Sequence, residues 1–211
     1  MAGVTSRIGR LMDSETPFRI ALVIVILLTM TIGLYHRIRA ASSGEKISHK
    51  DEGYVFFAVL RLSGLCLWIA TLAYLISPSS VQWATIPIQS VFRWCGVVMG
   101  FVSSLLMYWT MSSLGKNLTD TVVTRADATL VTHGPYRLVR HPFYVTAALL
   151  MGSVTLLTAN WLIGGTSLVV LVLLAVRTPK EEQRLIDKFG QQYQDYMAKT
   201  GRFFPRIGSG K

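Results

Sequence analysis

Apolar residues fall along the chain in five long runs: Pro17 to His36, Tyr54 to Ser77, Ile86 to Leu114, Pro142 to Thr158, and Trp161 to Val176. A helix rises about 1.5 Å per residue and a bilayer core is about 30 Å thick, so about 20 apolar residues predict one crossing. The last two runs are shorter and are parted only by Ala159 and Asn160, which predicts a tight helical hairpin crossing at less than full thickness. The third run is the longest. Gly96, Gly100 and Ser104 recur on one of its faces, a spacing that lets a neighbouring helix approach closely in lipid.

Beyond Val176 the pattern changes. Leu185, Ile186, Phe189, Tyr193, Tyr196 and Met197 recur at helical spacing among charged residues, which predicts an amphipathic helix lying on a membrane face. Thr178, Pro179 and Glu181 have the spacing of a helix cap, with Pro at the first helical position, so this helix is expected to begin there. The expected fold class is therefore all-α: an integral membrane bundle of about five transmembrane helices with a cytoplasmic carboxy-terminal amphipathic helix.

Composition agrees. Of 211 residues, 51% are hydrophobic and 15% charged, with a mean hydropathy of +0.44, far from the balance of soluble domains. The first run is long enough to span and is followed by further spans, so it is expected to be a permanent helix rather than a cleaved signal. Cys66 and Cys95 both lie inside apolar runs, where they act as small hydrophobes and imply neither a disulfide framework nor a metal site.

Charge sets the orientation. Residues 37–53 hold four Lys or Arg, residues 115–141 four, and residues 177–211 eight, against Arg7 and Arg10 before the first run. With five crossings the three basic segments share one side, which predicts a cytoplasmic carboxyl terminus. The net charge of +10 then reflects this inner-face bias and affinity for anionic membrane lipids, and calls for no nucleic acid. Arg61 lies about two turns inside the second run, where it either snorkels to the interface or faces a polar cavity. Arg19 and Arg93, nearer the outer interface, are expected to snorkel.

Two polar clusters carry the candidate chemistry. The first, HGPYRLVRHPFYV (His133 to Val145), precedes the fourth run. Gly134 and Pro135 make a turn. Pro142 drives His141 out of the helical region and starts a helix just after it. Arg140 and His141 therefore sit at a helix amino terminus, where free N–H groups and the dipole favour an anion such as a carboxylate. The second cluster is RTPKEEQRLIDKFGQQYQDY (Arg177 to Tyr196). Its Glu181 is accounted for as a cap. Glu182 shares a helix side with Ile186 and Phe189 and is pushed inward, where it requires a cationic or hydrogen-bonding partner.

The order LGKNL (Leu114 to Leu118), LVTHGPYRLVRHPFY (Leu130 to Tyr144), two short membrane helices, EEQRLIDKFGQQYQDY and RFFP (Arg202 to Pro205) resembles the isoprenylcysteine carboxyl methyltransferase family and the related phospholipid methyltransferases. The resemblance covers residues 86–205. It divides one membrane-embedded domain into divergent first helices (1–85), a methyltransferase core (86–205) and a tail (206–211). It implies an S-adenosylmethionine-dependent methyltransferase whose cofactor sits in a cytoplasm-facing pocket closed by the carboxy-terminal segment. It also implies roles: Gly134, Tyr136, His141, Tyr144, Glu181 and Glu182 in cofactor binding, and Arg140, Glu182 and Arg177 in catalysis. Arg140, then Arg177, would orient an anionic acceptor, and no metal is implied. A carboxylate acceptor needs no general base, so positioning and desolvation would suffice; an amine acceptor would need one, from Glu182 or His141. The acceptor is expected to be a lipophilic molecule resident in the membrane, either an isoprenylcysteine-like carboxylate or a phospholipid amine. Rival readings are a nicotinamide-dependent sterol-type membrane reductase and a non-enzymatic transport or assembly protein. Asn117-Leu118-Thr119 matches a glycosylation acceptor but falls on the expected inner face.

Overall fold

The computed structural model describes residues 2–41, 54–115 and 129–206. Lys46, Lys50, the part of LGKNL after Gly115, the Asn117–Thr119 tripeptide, Arg125 and the tail from Ile207 lie outside the described residues. Among the described residues six α-helices follow one another: α1 (Ala2–Ala41), α2 (Tyr54–Ile76), α3 (Ser90–Leu114), α4 (Pro142–Thr158), α5 (Trp161–Phe189) and α6 (Gln191–Lys199). Among the described residues four segments are long and apolar enough to cross a membrane, Glu15–Ala40, Val55–Ile76, Ser90–Leu114 and Trp161–Phe189, and Pro142–Thr158 is a shorter apolar helix. The protein is an integral membrane protein. Large apolar side chains such as Val98, Leu105, Leu168 and Val176 stay exposed on the bundle's outside, the surface expected to face lipid.

Helix α3 is the spine, packed against α4 and α1. A Cβ on Gly96 would come within 2.8 Å of Leu156 Cβ, and one on Gly100 within 2.6 Å of Ser153 Oγ and 2.8 Å of Val25. The glycines therefore serve close packing within the chain. Hydroxyls fill the seams: Thr29 and Ser104 are 3.0 Å apart, Ser153 Oγ donates to Gly96 O at 2.6 Å, and Ser103 Oγ donates to Thr146 O at 3.0 Å. In lipid, where apolar burial drives little association, such contacts fix the helix pairs.

The hairpin between α4 and α5 is as tight as the sequence predicts. Ala159 takes a left-handed conformation (φ +46°), and Asn160 caps α5 by accepting from Leu162 N at 3.0 Å and Ile163 N at 3.2 Å. The Asn160 amide also donates to Val81 O at 3.0 Å, tying the hairpin to the 3-10 turn Pro78–Ala84 that follows α2. This end of the bundle holds the core of Phe18, Leu22, Tyr74, Val154, Leu157 and Ile163. The described parts of the basic segments, from Arg37 and Arg39 at the end of α1, His133 to His141 before α4 and Arg177 to Arg206, lie toward the other end, called the basic end below.

Several expectations are corrected. Helix α3 begins at Ser90 rather than Ile86, because the chain first forms the 3-10 turn and pairs Ile86 N with Ala159 O at 2.7 Å. Helix α5 does not stop at Val176. It runs through Pro179 to Phe189, so Thr178, Pro179 and Glu181 are not a cap. At about 1.5 Å per residue its 29 residues reach about 43 Å, so the turns after the apolar stretch ending at Val176 stand beyond the hydrocarbon layer. The break falls instead at Gly190 (φ +53°), leaving the short amphipathic α6. Arg93 does not snorkel: its side chain is buried, pairs with both Glu15 oxygens at 2.7 Å, and donates to Leu157 O and Tyr74 Oη. Arg19 turns inward to donate to Leu75 O. Arg61, for which snorkelling was one of the two expectations, is exposed, with its guanidinium 4.4 Å over the Phe57 ring.

Candidate functional site

The two polar clusters meet at the basic end. Gly134–Arg137 form a single 3-10 turn, entered at Gly134 with φ +62°. A Cβ on Gly134 would overlap Ser113 Oγ and lie 3.3 Å from Trp109 Nε1, so the glycine lets the turn lie against α3. His141 (φ −121°) follows, and Pro142 opens α4, as its fixed φ and missing N–H suit.

From α5, Glu181 and Glu182 are presented to this corner. The Glu182 side chain is 4% exposed. Its Oε1 accepts from Arg140 Nε at 2.9 Å and lies 3.3 Å from His141 Nε2, while Oε2 accepts from Arg202 Nη2. Glu181 Oε1 accepts from the Tyr144 hydroxyl at 2.5 Å. Arg177 Nε, 2.9 Å from the same oxygen, is placed for charge attraction but not aligned for a hydrogen bond. His141 Nδ1 is 3.7 Å from Glu181 Oε2, so its ring stands between two carboxylates, stacked on Tyr144 at 5.5 Å and 8°.

Electrostatics fix the state of Glu182. Burial opposes its ionisation, but hydrogen bonds from His141, Arg202 and Arg140 outweigh that and hold the carboxyl down at about 2. It is therefore an anion at neutral pH, a fixed counter-charge and a weak proton acceptor.

The segment after α6 closes over the cluster. Val139 and Gly201 form a parallel bridge, Arg140 N donates to Gly201 O at 2.8 Å, and His141 N donates to Arg202 O at 3.1 Å. Arg140 Nη1 reaches Met197 O at 3.3 Å and also Thr200 O. Phe203 leans on His141 and Tyr144, with ring centroids 5.9 and 6.4 Å away. Arg202 and Phe203 were not among the predicted site residues. Their signal was the RFFP motif itself, which says nothing of where the strap folds back.

Beside the cluster lies a cavity of about 120 Å³, lined by Leu130, Tyr136, Arg140, Phe189, Tyr193 and Tyr196 among others. The Tyr196 hydroxyl donates to Tyr136 O at 2.6 Å. Of the predicted residues, Tyr136 and Arg140 line this cavity. His141, Tyr144, Arg177, Glu181 and Glu182 form the adjoining cluster, joined to it through Arg140. Gly134 is part of neither and works as a turn. Among the described residues no group of three or more His, Cys, Asp or Glu is placed to hold a metal ion.

Comparison with known proteins bears on this geometry. Residues 96–187 match the isoprenylcysteine carboxyl methyltransferase (ICMT) family. The protein-S-isoprenylcysteine O-methyltransferase of Dictyostelium discoideum is 24% identical over 188 residues, 83% of this chain and 70% of that one. The cobalt-zinc-cadmium resistance protein CzcN of Cupriavidus metallidurans is 29% identical over 123 residues, covering 54% of this chain and 55% of the relative. Among solved structures, the eukaryotic intramembrane Ras methyltransferase ICMT superposes with a TM-score of 0.52 at 22% identity, over 89% of this chain and 68% of that one. The fold is shared with it.

Proposed function

We propose that this chain, whose residues 96–187 carry the isoprenylcysteine carboxyl methyltransferase family match, transfers a methyl group from S-adenosylmethionine to the carboxylate of an isoprenylcysteine-like acceptor held in the membrane. It is a membrane-embedded methyltransferase. The observation that supports the reading best is the junction of Arg140 and His141 with Glu181 and Glu182 in one cluster, beside a cavity at the basic end.

The residues fit the cofactor's chemistry. Glu181 and Glu182 offer acceptors for its ammonium or ribose hydroxyls, the corner at His141 suits its carboxylate end, and the aromatic faces of Tyr136, Tyr144 and Phe203 suit its cation. Bound there, S-adenosylmethionine supplies an electrophilic methyl group on a sulfonium. The protein's own part is placement. Arg140 uses Nε and Nη1 on Glu182 and on backbone carbonyls, which holds the guanidinium rigidly, and Nη2 is left for the acceptor's carboxylate. Arg177, anchored by Glu181, is the second such cation. The strap of Gly201 to Phe203 excludes water that would stabilise the carboxylate nucleophile. A carboxylate acceptor also agrees with Glu182, whose depressed pKa makes it a poor base for an amine. The basic end faces the cytoplasm in this reading, with the carboxyl terminus there.

The test supplies methyl-labelled cofactor with an isoprenylated cysteine bearing a free carboxyl and with its carboxamide. Base-labile label should appear only with the carboxyl compound. Label in an amine headgroup instead, or no transfer to either, overturns the acceptor assignment.

A further inference from the structure

Contacts between helices mark common levels along the bundle. Ser103 Oγ donates to Thr146 O at 3.0 Å, and the Thr29 and Ser104 hydroxyls are 3.0 Å apart, so Thr29 of α1, Ser103 of α3 and Thr146 of α4 share one level. A Cβ on Gly164 would come within 2.9 Å of Thr155, and this antiparallel register of α4 and α5 brings Leu173 to that level too.

From there the helices reach polar sequence at different distances toward the basic end. Helix α4 ends at Pro142, about 6 Å away, and on α5 Arg177 also follows after about 6 Å. On α3 the exposed Tyr108 and Trp109 stand about 8–9 Å away, and on α1 the exposed Tyr35 and Ile38 stand about 9 and about 13 Å away. Tyrosine and tryptophan on a lipid-facing surface mark the membrane interface. The polar boundary is therefore stepped, lying about 3–8 Å nearer the bundle's middle on the α4–α5 flank.

The α5 flank is short along its whole length. Trp161, set edge-to-face on Trp83 at 5.3 Å, and Val176 bound an exposed apolar stretch about 23 Å long, against about 30 Å of hydrocarbon in an ordinary bilayer. Tilting α5 would shorten its span further. Arg177, Lys180 and Glu181 come next, and drawing charges into hydrocarbon costs more than thinning the bilayer beside them.

We infer that the α4–α5 flank is a membrane-shaping surface that fits phospholipids with short acyl chains, and that in thicker bilayers it draws the headgroups at the basic end inward beside the Arg140–Glu182 corner. The surface stands without any enzymatic reading. Its use rests on the methyltransferase reading: the polar end of a membrane-resident acceptor rides with the headgroups and is carried down to Arg140.

The experiment reads the depth of spin labels in the full chain, in vesicles of phosphatidylcholine with monounsaturated eighteen-carbon chains, from collisions with oxygen and with a water-soluble nickel chelate. The labels are carried by Leu105→Cys on α3 and Val176→Cys on α5, made with Cys66→Ser and Cys95→Ser. These positions are 69% and 63% exposed and lie within about 2 Å of one level. The Val176 label should read about 5 Å nearer the headgroups than the Leu105 label, and the difference should shrink in fourteen-carbon lipid, whose hydrocarbon already matches α5. Val172→Cys, one turn deeper on α5, should be displaced by the same amount. Labels from Val98→Cys and Leu168→Cys, level with each other nearer the hairpin end, should read alike. Methyl transfer to an isoprenylated carboxyl should fall severalfold between fourteen- and twenty-two-carbon chains, with affinity for S-adenosylhomocysteine unchanged. Equal depths at Leu105 and Val176, or readings at Val98 and Leu168 that differ in the opposite sense as a tilted bundle would give, overturn the inference whether or not methyl groups are transferred. Transfer independent of chain length overturns the use assigned to the surface, and absence of transfer in every lipid overturns the methyltransferase reading alone.

Discussion

Glu182 shows how one side chain organises the site. Three donors from two other segments converge on it, and none of them is on its own helix. A carboxyl with a depressed folded pKa stabilises fully above its unfolded value of about 4.3 and loses that contribution as pH falls through about 2. Methyl transfer between about pH 6 and about pH 9 should therefore show no limb belonging to Glu182; a limb in wild type that moves in Glu182→Asp would contradict this. Glu182 was legible in the sequence because it shares a helix side with Ile186 and Phe189, where an acid demands partners. Arg202 was not, because no periodicity relates it to Glu182: the strap after α6 brings it back. Arg93 misled for a related reason. Near a helix end it reads as an interfacial cation, and only the fold places Glu15 within 2.7 Å of it.

At the scale of elements, the continuous α5 carries the paired acids past the apolar layer, and the break at Gly190 turns α6 back to form the cavity. Sequence pattern found the apolar run and one amphipathic helix after it but placed the boundary between them at Pro179, since a Thr-Pro pair before acids has the chemistry of a helix start. Tertiary packing carried the helix through instead: Thr178 is buried, with its hydroxyl donating to Leu174 O at 3.1 Å. Gly190 has φ +53° and ψ −129°, a region that side chains rarely enter. Gly190→Ala should cost on the order of 1–3 kcal/mol. Gly165→Ala, at an exposed position on α5 with open space for a Cβ, should be near neutral. Thermal melts of the two variants in detergent check the contrast; equal melting temperatures would mean that the turn at Gly190 is not a constrained hinge.

The whole molecule separates its stabilising core from its chemistry. The apolar cluster and the Glu15–Arg93–Tyr74 network lie at the hairpin end, joining α1 and α2 to α3 and α4, while the polar cluster and cavity lie at the basic end. Removing one member of a buried ion pair costs about 3–5 kcal/mol. Because Glu15 is a quarter exposed, Glu15→Gln should cost on the order of 2–3 kcal/mol, read as a lowered melting temperature, with cofactor affinity unchanged. Lost affinity at unchanged stability would contradict the separation. The bundle and the tight hairpin were legible as runs of apolar residues; the proposed orientation puts the basic end in the cytoplasm, which a reporter fused after Lys211 should register. The central claim is that the basic corner before α4 and the acids of α5 make one nucleoside-sulfonium site. It is tested most directly by equilibrium binding of S-adenosylhomocysteine, with NADPH as comparison, to the purified full chain and to Glu182→Gln. The account predicts saturable binding of S-adenosylhomocysteine, weakened about tenfold or more in the variant, and none of NADPH; binding of NADPH alone, or equal affinity of wild type and variant for S-adenosylhomocysteine, would contradict it.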